Sequence, residues 1–414
     1  AARCKAREGE DPDETVAMRD GGEKQSARYI ALYAMAAAGG SVSYAPFLTL
    51  VLPLKVMAID SENAIRILSY IAFVGAIAAS LSNIAFGWLS DRTRNRTAWI
   101  LAGMVCSCTL LVAMRYVDTV PALLVMIVLW QTALNMMLNP LAAWAGDCIP
   151  DHQKGALGGA LSFAPGMGAL AGAVVTIPGL AGPGDRLVLI APLVALLVLP
   201  VLIWGRPRPM PHLMAERARG RAESEAPTRE PLPAVWRMWA ARLLLQIAEA
   251  ALFAFLFMWM HGVDPRVTDN TVATLFAAVL FCSVPVAIAA GRWSDKAGRP
   301  ILPLTVVAAC GSAGLVAMAM AGNAREGMAA YALFGIAAAV FLALHSSQTL
   351  RVLPQPRNRG RDLGLFNLTN TAPSLIMPGL TLALIPLFGF DALFLVLALL
   401  LAGSALLLAP LRLR

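Results

Sequence analysis

The residues of this chain able to do chemistry are the acids, bases and amides that stand inside long apolar runs. Glu249 lies ten residues past Trp239 and follows Arg242 and Gln246 by seven and three, which places these three side chains on one helical face. A carboxyl so deep in an apolar run can carry a proton, because its charged form needs Arg242, water or a ligand and its neutral form needs none. The same spacing equally permits a structural contact between Arg242 and Glu249. Gln131, Asn135 and Asn139 recur every four residues ahead of Pro140, so their amides form one stripe of donors and acceptors. Such a stripe suits a hydroxyl-rich ligand, or it holds neighbouring helices together. Asp147 ends the same run, either as a proton-coupling acid or as a solvated loop residue. His345 and Gln348 approach the end of a later run, and Asn367 and Asn370 open the next. His345 is a group that titrates near neutral pH when solvated, or else a structural hydrogen-bonding residue. Tyr44 lies in a small, breakable stretch with Gly39, Gly40, Ser41, Ser43 and Pro46.

These groups need a scaffold, and composition says which kind. Of 414 residues, 58% are apolar and 14% charged, and mean hydropathy is +0.67. A soluble domain carries about 25% charge, so this chain cannot cover a water-facing surface of its size. Apolar stretches longer than 18 residues recur, which predicts spanning helices and a bilayer as the solvent. Cys4, Cys106, Cys108, Cys148, Cys282 and Cys310 have no metal-like spacing and are expected to be core thiols. No phosphate loop, zinc helix or nucleophile motif is present in the sequence, so neither an enzyme, a metal site nor a cofactor is expected. The net charge of +8 sits in short loops, a topological pattern with no nucleic-acid partner implied. Residues 1–27 lack an apolar core of the signal-peptide kind, so no cleavable leader is expected there.

Twelve apolar runs are each long enough to cross a hydrocarbon layer of about 30 Å at about 1.5 Å per residue. They lie near 28–54, 63–89, 97–115, 119–146, 155–180, 187–205, 235–261, 268–291, 300–321, 326–350, 362–387 and 389–411. A polar, Pro-rich connection over 206–234 divides them six and six. The predicted organisation is an N-terminal tail over 1–27, a six-helix bundle over 28–205, this linker, and a second bundle with a short tail over 235–414. On one side of the runs lie only Lys55, Arg66, Arg115, Arg186, Arg266 and Arg325; all the other Lys and Arg lie on the opposite side. That bias places both termini in the cytoplasm, in an inner or cell membrane.

The halves repeat. Gly87-Trp88-Leu89-Ser90-Asp91-Arg92 follows the second run, and Gly291-Arg292-Trp293-Ser294-Asp295-Lys296 follows the eighth, 204 residues later. Lys154-Gly155 and Arg359-Gly360 are offset by 205. Two markers with nearly one period indicate a duplicated six-helix unit. The doubled loop resembles the signature of the major facilitator superfamily, over about residues 28 to 411. The resemblance implies an all-α membrane fold of two pseudo-symmetric bundles that alternately expose a central site. It assigns gating to Gly87, Asp91, Arg92, Gly291, Asp295, Lys296 and Arg299, which latch the cytoplasmic face.

Asp91-Arg92-Thr93-Arg94-Asn95-Arg96, Asp147 and Gly360-Arg361-Asp362 are similar to the glycoside, pentoside, hexuronide and sucrose-type cation symporters. This implies proton-coupled uptake of a sugar-like small molecule, with Glu249, Asp147 and Arg242 coupling. Substrate contacts are then expected from Tyr44, Gln131, Asn135, Asn139, Gln246, His345, Gln348, Asn367 and Asn370. The second run has no carboxylate between Ala64 and Ser90, which sets the chain apart from sodium-coupled members of that group. Gly158, Gly159, Pro165, Gly166, Gly168 and Gly172 partly match the fifth span of proton-coupled exporters, the alternative reading, or serve only close packing. A non-transporting assembly or pigment-handling scaffold of the same fold is the alternative of another class. A monomer is expected.

Overall fold

The computed structural model describes residues 24–150, 153–161, 163–182, 184–208, 233–297, 301–352 and 359–411, all helix and connection with no strand among them. Most of the predicted tail and of the predicted linker lies outside the described residues.

Helix α1 (Ala27–Pro46) starts where the Ser26 hydroxyl accepts the Tyr29 N–H at 3.2 Å. Pro46 cannot donate to the helical ladder, and the chain passes through a π-helical turn, Phe47–Val51, before continuing as α2 (Leu52–Ile59). Then come α3 (Ala64–Thr93), α4 (Arg96–Ala113), α5 (Val120–Cys148), α6 (Lys154–Leu161), α7 (Ala164–Val175) and α8 (Arg186–Trp204). The second half holds α9 (Pro233–Val263), α10 (Asp269–Ala297), α11 (Leu302–Ala319), α12 (Ala324–Val352) and α13 (Arg359–Leu408).

Among the described residues ten helices are long and apolar enough to span a membrane, and α7 is a shorter apolar one. The segment α13 holds two helices, one for each of the last two predicted runs. Its 50 residues would measure about 75 Å if straight, more than twice a bilayer core. Gly389 breaks it, with φ 77° in the left-handed region that a side chain disfavours. Ile84, Leu196, Leu399 and Leu406 point outward and are exposed, as suits a hydrocarbon surrounding. The same geometry corrects the expectation of core thiols, because Cys106, Cys282 and Cys310 are on the exposed surface.

Packing repeats between halves. Helix α4 lies on α5 and α8, α5 on α3, and α1 on α7 and α8; α11 lies on α12 and α13, α12 on α10, and α9 on α13. The tightest crossings correspond. A methyl on Gly103 would stand 2.3 Å from the Met137 nitrogen, and one on Gly314 2.7 Å from the Phe334 nitrogen. Only glycine lets those backbones approach so closely. The halves meet where α7 packs on α10, α3 on α13, and the π turn on α9.

Candidate functional site

Between the halves lies a cavity of about 240 Å³, walled by α1 and its π turn, α7, α9, α10 and α12. Small residues bring the walls together. A Cβ on Gly168 would stand 3.1 Å from the Ser41 carbonyl, one on Gly172 3.2 Å from Leu50, and one on Gly335 2.6 Å from Val279. Aromatic rings fill the space these approaches leave. Tyr44 and Phe253 have centroids 6.4 Å apart, Phe276 meets Tyr331 edge-on at 5.4 Å, and Tyr331 lies 6.4 Å from Phe334.

Glu249 is the ionisable acid of this wall. Among the described residues no hydrogen bond or ion pair reaches its carboxylate. Arg242, two turns back on the same face toward the Asp91 end, acts on it through charge. The guanidinium instead bonds Gln246 Oε1 at 3.2 Å and Asn370 Oδ1 at 3.3 Å, and Gln246 Nε2 donates to Asn370 Oδ1 at 2.7 Å. Asn370 is exposed, so this trio lines an accessible vestibule beneath the cavity.

The other predicted ligands stand apart from the cavity. Asn135 turns its amide back to the Gln131 carbonyl at 2.9 Å. Asn139 donates to Asn83 across α3, beside Gly87, whose missing side chain leaves 3.1 Å to Asn139 Oδ1. Gln131 lies against Gly75. Fully buried His345 has Nε2 2.9 Å from the Met238 carbonyl and stacks on Phe341, tying α12 to α9. Where the predicted ligands came from the fourth and eleventh runs, the cavity wall is supplied by the fifth and eighth, α7 and α10, which pack on each other. The side chains of Gln348, Asn367, Asp295 and Arg299 lie outside the described residues. Gly291 has only ordinary contact with Leu344, at 3.8 Å, and Lys296 is exposed.

Two charge clusters lie at opposite ends of the helices. At one, Arg96 gathers Asp91, Asp147 at 3.0 Å through Nε, and the Ser90 hydroxyl at 2.6 Å through Nη1. Arg92 instead covers the Trp88 ring at 5.7 Å. Arg96 was absent from the predicted gate although it ends the same Asp91–Arg96 stretch, five residues on. At the other end Arg186 pairs with Asp269, each side chain only 11% exposed. Asn270 donates there to the Ala173 carbonyl at 2.9 Å and Thr176 Oγ1 at 3.1 Å, and Ser69 meets Thr381 at 2.9 Å. All three contacts join the first half to the second.

The family described as Major Facilitator Superfamily matches residues 29–339 and again 262–414. The chain belongs to the major facilitator superfamily. It is 29% identical, over 161 residues, to proteins of two Mycobacterium tuberculosis strains, each described as an uncharacterized MFS-type transporter. That similarity covers 37% of this chain and 33% of each relative, so the chain matches about a third of the length of these curated relatives. The family and the ten apolar helices among the described residues indicate a multi-pass membrane protein. Within this superfamily member, the Asp91 loop and the Arg186 pair flank the aromatic cavity from its two ends.

Proposed function

We propose that this chain is a secondary active transporter that moves a small organic solute by alternating access, with Glu249 carrying the coupling proton. The observation that carries the reading is a carboxylate without a partner, set in a cavity shared by both halves. A mid-membrane carboxylate costs roughly 2.5 to 3.5 kcal/mol on insertion scales, so a lasting one is retained for a purpose. With residues 28–205 and 235–414 as the rocking bundles and both termini cytoplasmic, the Arg186 pair lies outside and the vestibule faces the cytoplasm. The structure then corresponds to an inward-open state, working as a monomer. Arg96 holds Asp91 and Asp147 within the first bundle in this state, and closure of the cytoplasmic face would trade those contacts for the second bundle.

The solute class follows the walls. Sugar uptake calls for amides and hydroxyls around the substrate, and the amide stripe of α5 is engaged elsewhere. An amphiphilic or apolar solute, moved against protons as an exporter does, suits rings and one acid better. The test uses full-length protein in vesicles with an imposed proton gradient and a panel of labelled sugars and amphiphiles. Glu249→Gln should abolish gradient-driven accumulation and leave solute exchange intact. Accumulation that survives this substitution would remove Glu249 from coupling.

A further inference from the structure

The cavity walls narrow the occupant further. Tyr44, Phe253, Phe276, Tyr331 and Phe334 offer ring faces, which carry negative charge density. Four hydroxyls line it, those of Ser41, Tyr44, Thr49 and Tyr331, and that of Thr49 already donates to the Ala45 carbonyl at 2.7 Å. The groups facing Glu249 are the Tyr44 phenol from α1 and the Tyr331 phenol from α12, both within its electrostatic reach. On its own helix Arg242 is engaged by Gln246 and Asn370. His345, near Arg242, has Nε2 against the Met238 carbonyl. A sugar here would leave hydroxyls unpaired against rings, and an anion would meet repulsion from both rings and carboxylate. A neutral apolar solute would strand an ionised Glu249.

We propose that the cavity binds a lipophilic organic monocation, an alkyl- or arylammonium, held by the ring faces and the ionised Glu249, and that a proton excludes it from that carboxylate. The inference rests on the alternating-access reading and makes it an exchange. The cation enters from the cytoplasmic vestibule as Glu249 gives up its proton, and a proton arriving from outside displaces it. One positive charge moves each way, so the cycle balances. A volume of about 240 Å³ admits one ring with a trimethylammonium head.

The test is equilibrium binding of benzyltrimethylammonium to the purified full chain in detergent, beside its neutral carbon isostere neopentylbenzene. The cation should bind at least about tenfold more tightly than the isostere. Its affinity should fall as the pH is lowered, and binding in weak buffer should release protons. Glu249→Gln should lose about tenfold in affinity together with the pH dependence. Phe253→Leu should weaken the cation while keeping the pH dependence, and it carries the test with the wild-type proton release if Glu249→Gln does not fold. Equal binding of the isostere, cation binding without proton release, or no cation binding would overturn the proposal. Since these readouts need no gradient, they fail independently of vesicle exchange, which judges the transport reading itself.

Discussion

Arg186 shows how much can rest on one side chain. It joins Asp269 across the two halves with both groups nearly out of water, a setting in which removing one partner strands the other. Such a loss typically costs about 3 to 5 kcal/mol, here at the end of the cavity where the halves are paired. Arg186→Ala should therefore expose the cavity outward. A cysteine replacing Ala273, which lines the cavity, should react several-fold faster with an impermeant thiol reagent, and Asp269→Ala added to Arg186→Ala should slow it again. Unchanged labelling would deny the pair its closing role. In the sequence, Arg186 was visible only as one of the sparse basic residues of the predicted non-cytoplasmic side, and Asp269 did not stand out, since nothing in spacing relates positions 83 residues apart. Glu249 and Tyr44, by contrast, were legible because a carboxylate or a Gly- and Ser-rich break is rare in an apolar run. Phe253, Phe276, Tyr331 and Phe334 were not, because apolar rings face lipid, core and cavity alike when the solvent is itself apolar. The amides of α5 misled for the opposite reason: the stripe is real, but Asn135 bonds its own helix.

At the scale of elements, glycine crossings hold the helices in position, and they were hidden among the many small residues of the chain. Gly103→Ala would push a methyl to 2.3 Å from backbone, as Gly314→Ala would at 2.7 Å, while Gly158 has nothing within 4 Å. The first two should each lose about 1 to 3 kcal/mol and melt several degrees lower in detergent, and Gly158→Ala should not. Equal melting of all three would mean the crossings relax freely. The turn before α3 gives a pH test outside the membrane. The Asn63 N–H at 3.0 Å and its side-chain amide hold the exposed Asp60 carboxyl below its ordinary range. Its support for the turn should thus be complete above the ordinary carboxylate pKa and disappear only as pH falls through the lowered one. Hydrogen exchange at the start of α3 should follow that course and lose it in Asp60→Ala. Helix existence was readable from hydropathy nearly throughout, including the break between the last two runs at Gly389, whereas the π turn after Pro46 depends on backbone geometry that hydropathy does not encode.

For the whole molecule, the duplicated loop at an offset of 204 residues foretold two matched halves, and the paired crossings at Gly103 and Gly314 give that match a physical form. What the sequence left open was where the halves touch. They meet on the α7–α10 and α3–α13 faces, and the contacts at Asn270 and Ser69 are three hydrogen bonds that rocking can break. Two states separated by a few kcal/mol would follow, with a proton on Glu249 able to shift their balance. Spin labels at Ile177 and Val263, on opposite halves at the end that holds the Arg186 pair and both exposed, would report it most directly, with the six native cysteines replaced. The account predicts a short and a long distance whose proportions change with pH in the parent protein and become independent of pH in Glu249→Gln. One distance that no pH alters, or a pH response kept by Glu249→Gln, would contradict it.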